Sequence, residues 1–382
     1  MMKLRGRKII ALIVFILYAG KSGLAAEESR RVEEEKRQTL EHTASRQLSI
    51  FDDWVMDYGG WEYFRYNQYN NSDHDSNVSD AVTYSHSVDT RLWWRAVYKP
   101  KANPNENNHV IYLRFKDLYI QRQGAAPGEK FDNDGPHVDY AYTLLDFAPV
   151  KIEVGRKYFF IGKGIAYGDV NDGAQINYTR PGVNLGIFTS QTRPHQANID
   201  QSVPGYAKAS NRRFYGAGLG YAPSDKHAFY AYALGQRDFT GEQPDDFIHV
   251  YKYQSEYYGI GAKGDLFPKW TYWTELIRET GETRIYTTDQ RCRVDAWALD
   301  AEIDFRPQTL NRPNLSWEYA YGSGDSDRVS VTDTYNGNRS GRDNNFLYFG
   351  YLPTGIAVSP RLSNLHMLRA GLEWQPFFSP AG

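Results

Sequence analysis

The sequence predicts an all-β fold, a transmembrane antiparallel up-and-down β-barrel of about 14 strands, with short periplasmic turns and long extracellular loops. Three observations predict it. The N-terminus reads as an export signal. Short segments with a period of two recur from about Gly59 to the C-terminal end. The connections between those segments alternate between long and short. A soluble sandwich also has period-two strands, but it has no reason to sort its loops by parity.

At the N-terminus, Lys3, Arg5, Arg7 and Lys8 form a basic region. Ile9 to Tyr18 is unbroken and apolar, and Gly23-Leu24-Ala25 offers small residues for cleavage after Ala25. A spanning helix needs about 20 apolar residues, so this run reads as a signal peptide and the mature chain as exported. Losing residues 1–25, with Lys3, Arg5, Arg7, Lys8 and Lys21, takes the net charge from −2 to −7. An acidic chain does not suit a nucleic-acid partner. The single cysteine, Cys292, excludes a disulfide within the chain. Glu27 to Arg46 is charged and poor in apolar anchors. It reads as a solvated helix or disordered arm in the periplasm, or as a partner-binding helix. The expected domains are therefore a signal peptide (1–25), a charged periplasmic arm (26–57) and the barrel (58–382).

Mean hydropathy is −0.64, yet a spanning strand needs only every second residue to be apolar. The 15% aromatic content, with 30 Tyr and 9 Trp, suits a membrane–water boundary. In order, the expected strands are 59–69, 88–99, 110–122, 138–147, 150–158, 173–180, 183–191, 212–222, 227–237, 256–264, 269–278, 293–305, 314–322 and 365–375. Side chains alternate faces along a strand. In 88–99, Leu92, Trp94, Ala96 and Tyr98 oppose Asp89, Arg91 and Arg95, with Trp93 an apolar exception. In 293–305, Trp297, Leu299, Ala301, Ile303 and Phe305 oppose Asp300, Glu302 and Asp304. In 314–322, Leu315, Trp317, Tyr319 and Tyr321 oppose Ser316 and Glu318. In 365–375, Leu368, Ala370, Leu372 and Trp374 oppose Arg369 and Glu373.

The long connections are 70–87, 123–137, 159–172, 192–211, 238–255, 279–292 and 323–364. The short ones include 148–149, 181–182, 223–226 and 265–268, with 100–109 and 306–313 somewhat longer. An even strand count starting from the periplasm returns the chain there.

Motifs for chemistry are weak. Gly259-Ile260-Gly261-Ala262-Lys263-Gly264 has dinucleotide-fingerprint spacing but is followed by another strand instead of a helix. It therefore reads as glycines beside closely packed neighbours. Asp73, Asp75 and Asn77 begin like a calcium loop but lack its later glycine and glutamate. There is no nucleophile elbow and no paired-histidine metal motif. No catalytic residue, cofactor or metal is expected, and the chain does not read as an enzyme. The informative feature is arginine within strands or at their ends: Arg91, Arg95, Arg114, Arg156, Arg180, Arg212 and Arg369. A lipid-facing arginine at mid-membrane costs about 2–4 kcal/mol, so most should face the lumen or a rim. Lumen guanidinium groups attract anions. Asp117, Asp146, Glu153, Glu302 and Asp304 are acids that would instead pair with them and merely neutralise the interior.

Val154-Gly155-Arg156-Lys157, Gly162 and Asp169-Val170-Asn171-Asp172-Gly173 resemble the central segment of alginate-export outer-membrane proteins. So do Tyr321-Gly322-Ser323-Gly324-Asp325, Asp343-Asn344-Asn345-Phe346 and Leu362-Ser363-Asn364-Leu365. The resemblance implies an 18-stranded barrel with an arginine-rich lumen that conducts a polyuronate. It implies that Arg156 is a lumen arginine, and that Asp169, Asn171 and Asp172 lie near the constriction. On that strand number, Pro376 to Gly382 reads as a turn leading to strands beyond this chain. The expected function is an outer-membrane channel for an anionic polysaccharide or small anion, in contact with outer-membrane lipid and with periplasmic export partners. The alternatives are a general or nutrient-specific diffusion porin, and a structural or adhesive barrel using Tyr335-Asn336-Gly337-Asn338 in the longest loop.

Overall fold

The computed structural model describes residues 11–18, 46–51, 53–68, 84–99, 108–123, 131–193, 210–239, 253–285, 288, 290–307, 313–329, 331, 334, 337–352 and 361–374. These residues form strands, turns and bends, with no helix. Of the expected arm (26–57), 26–45 lies outside the described residues, but Arg46–Phe51 and the residues from Trp54 onward are neither helical nor a free arm: they are extended and pair antiparallel. The calcium-like loop at 73–77 also lies outside the described residues.

The strands are β1 (Ala11–Tyr18), β2 (Arg46–Phe51), β3 (Trp54–Gln68), β4 (Tyr84–Tyr98), β5 (His109–Gln123), β6 (Phe131–Phe147), β7 (Val150–Ile161) and β8 (Tyr167–Arg180). They continue with β9 (Val183–Gln191), β10 (Arg212–Ser224), β11 (His227–Asp238), β12 (Gln254–Phe267), β13 (Trp270–Arg284), β14 (Arg291–Phe305), β15 (Asn314–Gly322) and β16 (Leu365–Glu373). β3 to β16 are the fourteen strands read from the sequence. The eighteen implied by the family are not reached among the described residues.

The chain divides into two compact units. In the first (Gly23–Lys157), β2 to β7 form an antiparallel meander. Its registers set Asp57 opposite Arg95 and Arg114 opposite Tyr140. In the second (Tyr158–Gly382 with Met1–Ser22), β8 to β16 form a second antiparallel meander. There β1 runs parallel to β16, from Ala11 opposite His366 to Tyr18 opposite Glu373. An up-and-down barrel has antiparallel neighbours only, so β1 is not one of its strands. Its β-branched and aromatic residues favour extended pairing, and the open edge of β16 offers unpaired backbone groups.

Burial decides between barrel and sandwich. In the second unit Glu275 and Asp300 are 0% exposed, whereas Ile260 is 60% and Leu368 50% exposed. In the first unit Arg114 is buried, while Leu92, Phe115 and Val154 are exposed. A water-soluble sandwich would hide the apolar wall; here it faces outward, as lipid contact requires. Aromatic groups gather near the short turns. Trp270 packs on Phe305 at 4.7 Å and on Trp317 at 6.0 Å, and Trp54 packs on Tyr98 at 5.4 Å. This is the girdle expected at a membrane boundary.

Three long connections are shorter than expected. Pairing runs up to Arg284 opposite Arg291, leaving 285–290, β7 and β8 leave only 162–166, and β5 and β6 leave 124–130 in place of 123–137. The Gly259–Gly264 series lies on β12. A Cβ at Gly259 or Gly261 would sit 2.1–2.2 Å from the rings of Tyr232 or Tyr230, so these glycines make room for tyrosines.

Candidate functional site

In the first unit, β3 to β6 carry a charge ladder on their polar face. Arg95 reaches its cross-strand partner Asp57, with Nε at 3.1 Å and Nη2 at 2.5 Å from Oδ2. Arg91 pairs with Asp89 at 2.7 Å and Asp139 at 3.4 Å. Arg114 donates to Asp139 at 2.9 and 2.5 Å and lies 4.1 Å above the Tyr140 ring. On β7, Lys157 meets Glu153 at 2.6 Å, and Lys151 meets Asp146 at 3.3 Å.

In the second unit, a denser cluster lies on the polar face of β11 and β13 to β16. Lys163, between Gly162 and Gly164 in the 162–166 turn, pairs with Asp300 and with Glu302 at 3.3 Å. Glu275 accepts from the Lys163 N–H at 2.6 Å, Tyr230 at 2.8 Å and Tyr232 at 3.1 Å. Arg369 pairs with Glu318 directly opposite it. Arg212 and Asp238, also directly opposite, pair at 3.0 Å with both side chains 1% exposed. Arg306 meets Asp304 at 2.8 Å.

The longest connection does not stand clear of the wall. Phe346, Leu347, Tyr348 and Leu352 are buried in the core of this unit. Glu279 holds the segment by accepting from the Leu347 N–H at 2.8 Å, and Tyr257 donates to the Leu347 carbonyl at 2.9 Å. Phe349 lies 5.4 Å from Phe214, and its N–H donates to the Ala166 carbonyl at 3.0 Å. The base of the loop is a polar knot. Asp325 accepts from the Asn344 N–H at 3.0 Å and the Asn338 amide at 3.2 Å, and Arg328 pairs with Asp343. Ser323 donates to the Asn344 carbonyl at 2.7 Å, and Ser363 to that of Phe346 at 2.7 Å. Burial pushes the Asp325 carboxyl up, but the N–H groups of Asp327 and Asn344 and the two amides outweigh it and hold it below its usual range. Asn338, expected at a binding tip, is fully buried in this knot.

The expected path residues separate into groups. Arg91, Arg95, Arg114, Arg212 and Arg369 stand on polar faces, each with a carboxylate partner. Asn171 is buried and donates to the Tyr167 hydroxyl at 2.7 Å. Asp169 shares its face and accepts from the Val170 N–H at 2.7 Å. Asp172 falls on the opposite face, in step with Ala174 and Ile176. Arg180 is exposed beside the 181–182 turn, 5.6 Å from the Tyr178 ring. Arg156 stands opposite Ala141, in step with Ile152 and Val154, so the register sets it on the apolar face. There its Nη1 donates to the Val138 carbonyl at 2.8 Å. Asp117 likewise falls in step with Phe115 on the outward face, beside a register shift between β5 and β6. Sequence reasoning missed Lys163, Glu275, Glu279 and the loop insertion. The one available signal was Phe346-Leu347-Tyr348-Phe349, an apolar run inside a polar loop.

A protein-family profile described as alginate export matches residues 118–379. No curated protein matches the sequence. Among solved structures, an A116K mutant of Rh. blastica porin shares 12% identity at a TM-score of 0.32, covering 70% of this chain and 94% of its own. Pseudomonas aeruginosa OccK11 (OpdR) shares 12% identity at a TM-score of 0.40, covering 71% of this chain and 64% of its own. No residue correspondence is drawn from either.

Proposed function

The chain belongs to the alginate-export family, and on that premise we propose that this outer-membrane channel conducts an anionic polysaccharide of the polyuronate class. Membership of this family supports a channel rather than an enzyme. The observation that supports an anionic solute is which member of two lumen ion pairs, Arg95–Asp57 and Arg369–Glu318, meets water. The Arg95 side chain is 29% exposed against 9% for Asp57, and Arg369 is 25% exposed against 4% for Glu318. In these two pairs the carboxylate is sunk into the wall and the guanidinium is presented, whereas in the Arg91–Asp89, Arg114–Asp139 and Lys163–Glu302 pairs the carboxylate is the more exposed member. A guanidinium already shared with a carboxylate binds a passing carboxylate weakly, and a series of weak sites lets a chain advance without being trapped. Export through an N-terminal signal peptide cleaved after Ala25, with the short turns in the periplasm, completes this reading.

The test is current block in planar bilayers. Mannuronate oligomers should block the open channel in a concentration-dependent way, and maltooligosaccharides of equal length should not. Equal block by both, or none by the uronates, refutes the anionic solute. The acid-rich wall of β13 to β15 (Glu275, Glu279, Asp300, Glu302, Asp304 and Glu318) favours a second reading, a cation-preferring diffusion porin. Glu302, 29% exposed, is the member of that wall that would express it.

A further inference from the structure

A cavity of about 390 Å³ lies within the first unit, lined by residues that include Asp57, Arg95, Lys99, Asn108, Tyr142 and Glu153. Its place in the fold is defined. The lining comes from the start of β3, the end of β4, the start of β5, the end of β6 and the start of β7. These ends meet the 99–108 and 148–149 connections, on the short-turn side. The volume is within the range of small-molecule sites, about 300–1,000 Å³.

The lining carries both signs of chemistry. Arg95 gives Nε and Nη2 to one oxygen of Asp57, and Nη1 has no partner among the described residues. Lys99 is exposed and makes no ion pair among the described residues. Glu153 is neutralised by Lys157 at 2.6 Å, so the cationic groups prevail. Asn108 Oδ1 is buried and accepts no hydrogen bond from the described residues. A buried acceptor without a donor costs free energy, about 1–3 kcal/mol, unless something supplies one.

We propose that this cavity is a loading subsite on the short-turn side that takes one hexuronate unit of the transported chain. Its carboxylate sits between Arg95 Nη1 and Lys99 Nζ. Its hydroxyl groups donate to Asn108 Oδ1 and to the Glu153 carboxylate. A neutral sugar satisfies only the second set, and an inorganic anion only the first, so the mixed lining selects an acidic sugar. This rests on the polyuronate reading and adds to it a place where the chain is first held.

The experiment is one-sided block of the reconstituted full chain by tetramannuronate, added from the short-turn side. Lys99→Gln removes an exposed charge without disturbing the wall, and the pair Arg95→Gln with Asp57→Asn removes the guanidinium without leaving a buried carboxylate alone. Each should weaken block by about tenfold or more, the scale of a lost charged hydrogen bond. Lys226→Gln, at a short turn of the other unit, should leave it unchanged. Unchanged block in variants with normal heat-modifiable migration overturns the subsite and leaves the polyuronate reading standing. So does an equal loss in Lys226→Gln, which would make the effect one of general surface charge. A wild-type channel that tetramannuronate does not block overturns both.

Discussion

At the scale of single residues, the wall is built from pairs and from missing side chains. Arg212 and Asp238 face each other across β10 and β11 with almost no exposure. Removing one partner of a buried pair leaves an uncompensated charge, typically at a cost of about 3–5 kcal/mol. Arg212→Met should therefore lower the temperature at which the folded band is lost on heating, and Arg212→Met with Asp238→Leu should restore much of it. Recovery no better than in the single variant would show that the two residues do not act as a pair. Gly259 is set by shape: a methyl there meets the Tyr232 ring at 2.1 Å. Overpacking costs about 1–3 kcal/mol, so Gly259→Ala should destabilise and Gly259→Ala with Tyr232→Ala should be partly rescued. That reading of the glycine series was legible in the sequence, because a strand follows it where a nucleotide site needs a helix. The face of Arg156 was not. The family motif implies a lumen position, but register and the pairing with Ala141 decide it, and neither is written locally.

At the scale of elements, the β15–β16 connection is the feature with mechanical consequence. Its hydrophobic segment packs on β8 and β10 to β14, and its base is tied by Asp325 and by the Arg328–Asp343 pair. Asp325→Ala should release the base, raise protease cleavage within 325–345 and increase single-channel conductance; unchanged conductance would show that the segment does not narrow the path. The pH dependence has a fixed sign. A carboxyl held low in the folded state contributes stability above its unfolded pKa, and that contribution is lost as pH falls through the lower folded value. Acidification should therefore loosen the loop, and Asp325→Asn should abolish this dependence. Strand boundaries were mostly legible within a few residues, since period two is a local property. The 285–290 hairpin looked longer because Gly281 and Thr283 interrupt the apolar pattern while still pairing. The inward fold of the loop was not legible, because the contact of Leu347 with Glu279 joins residues far apart in sequence.

At the scale of the whole molecule, an apolar face turned outward and ion pairs turned inward describe a protein whose solvent is lipid on one side and water on the other. Tags in the 225–226 turn should be unreachable on intact cells, whereas tags in 240–252 should be labelled. The reverse pattern would invert the orientation. The barrel was legible from alternation and loop parity together, and the channel class from the family motifs. The charge of the solute was not, because a strand shows which residues face the lumen but not which member of each pair reaches water. That question is decided by the reversal potential of the reconstituted channel in a potassium chloride gradient. Presented guanidinium groups on Arg95 and Arg369 predict a potential favouring chloride, reduced when both are replaced by glutamine. A potential favouring potassium in the wild type would contradict an anionic path and assign the lumen to its acidic wall.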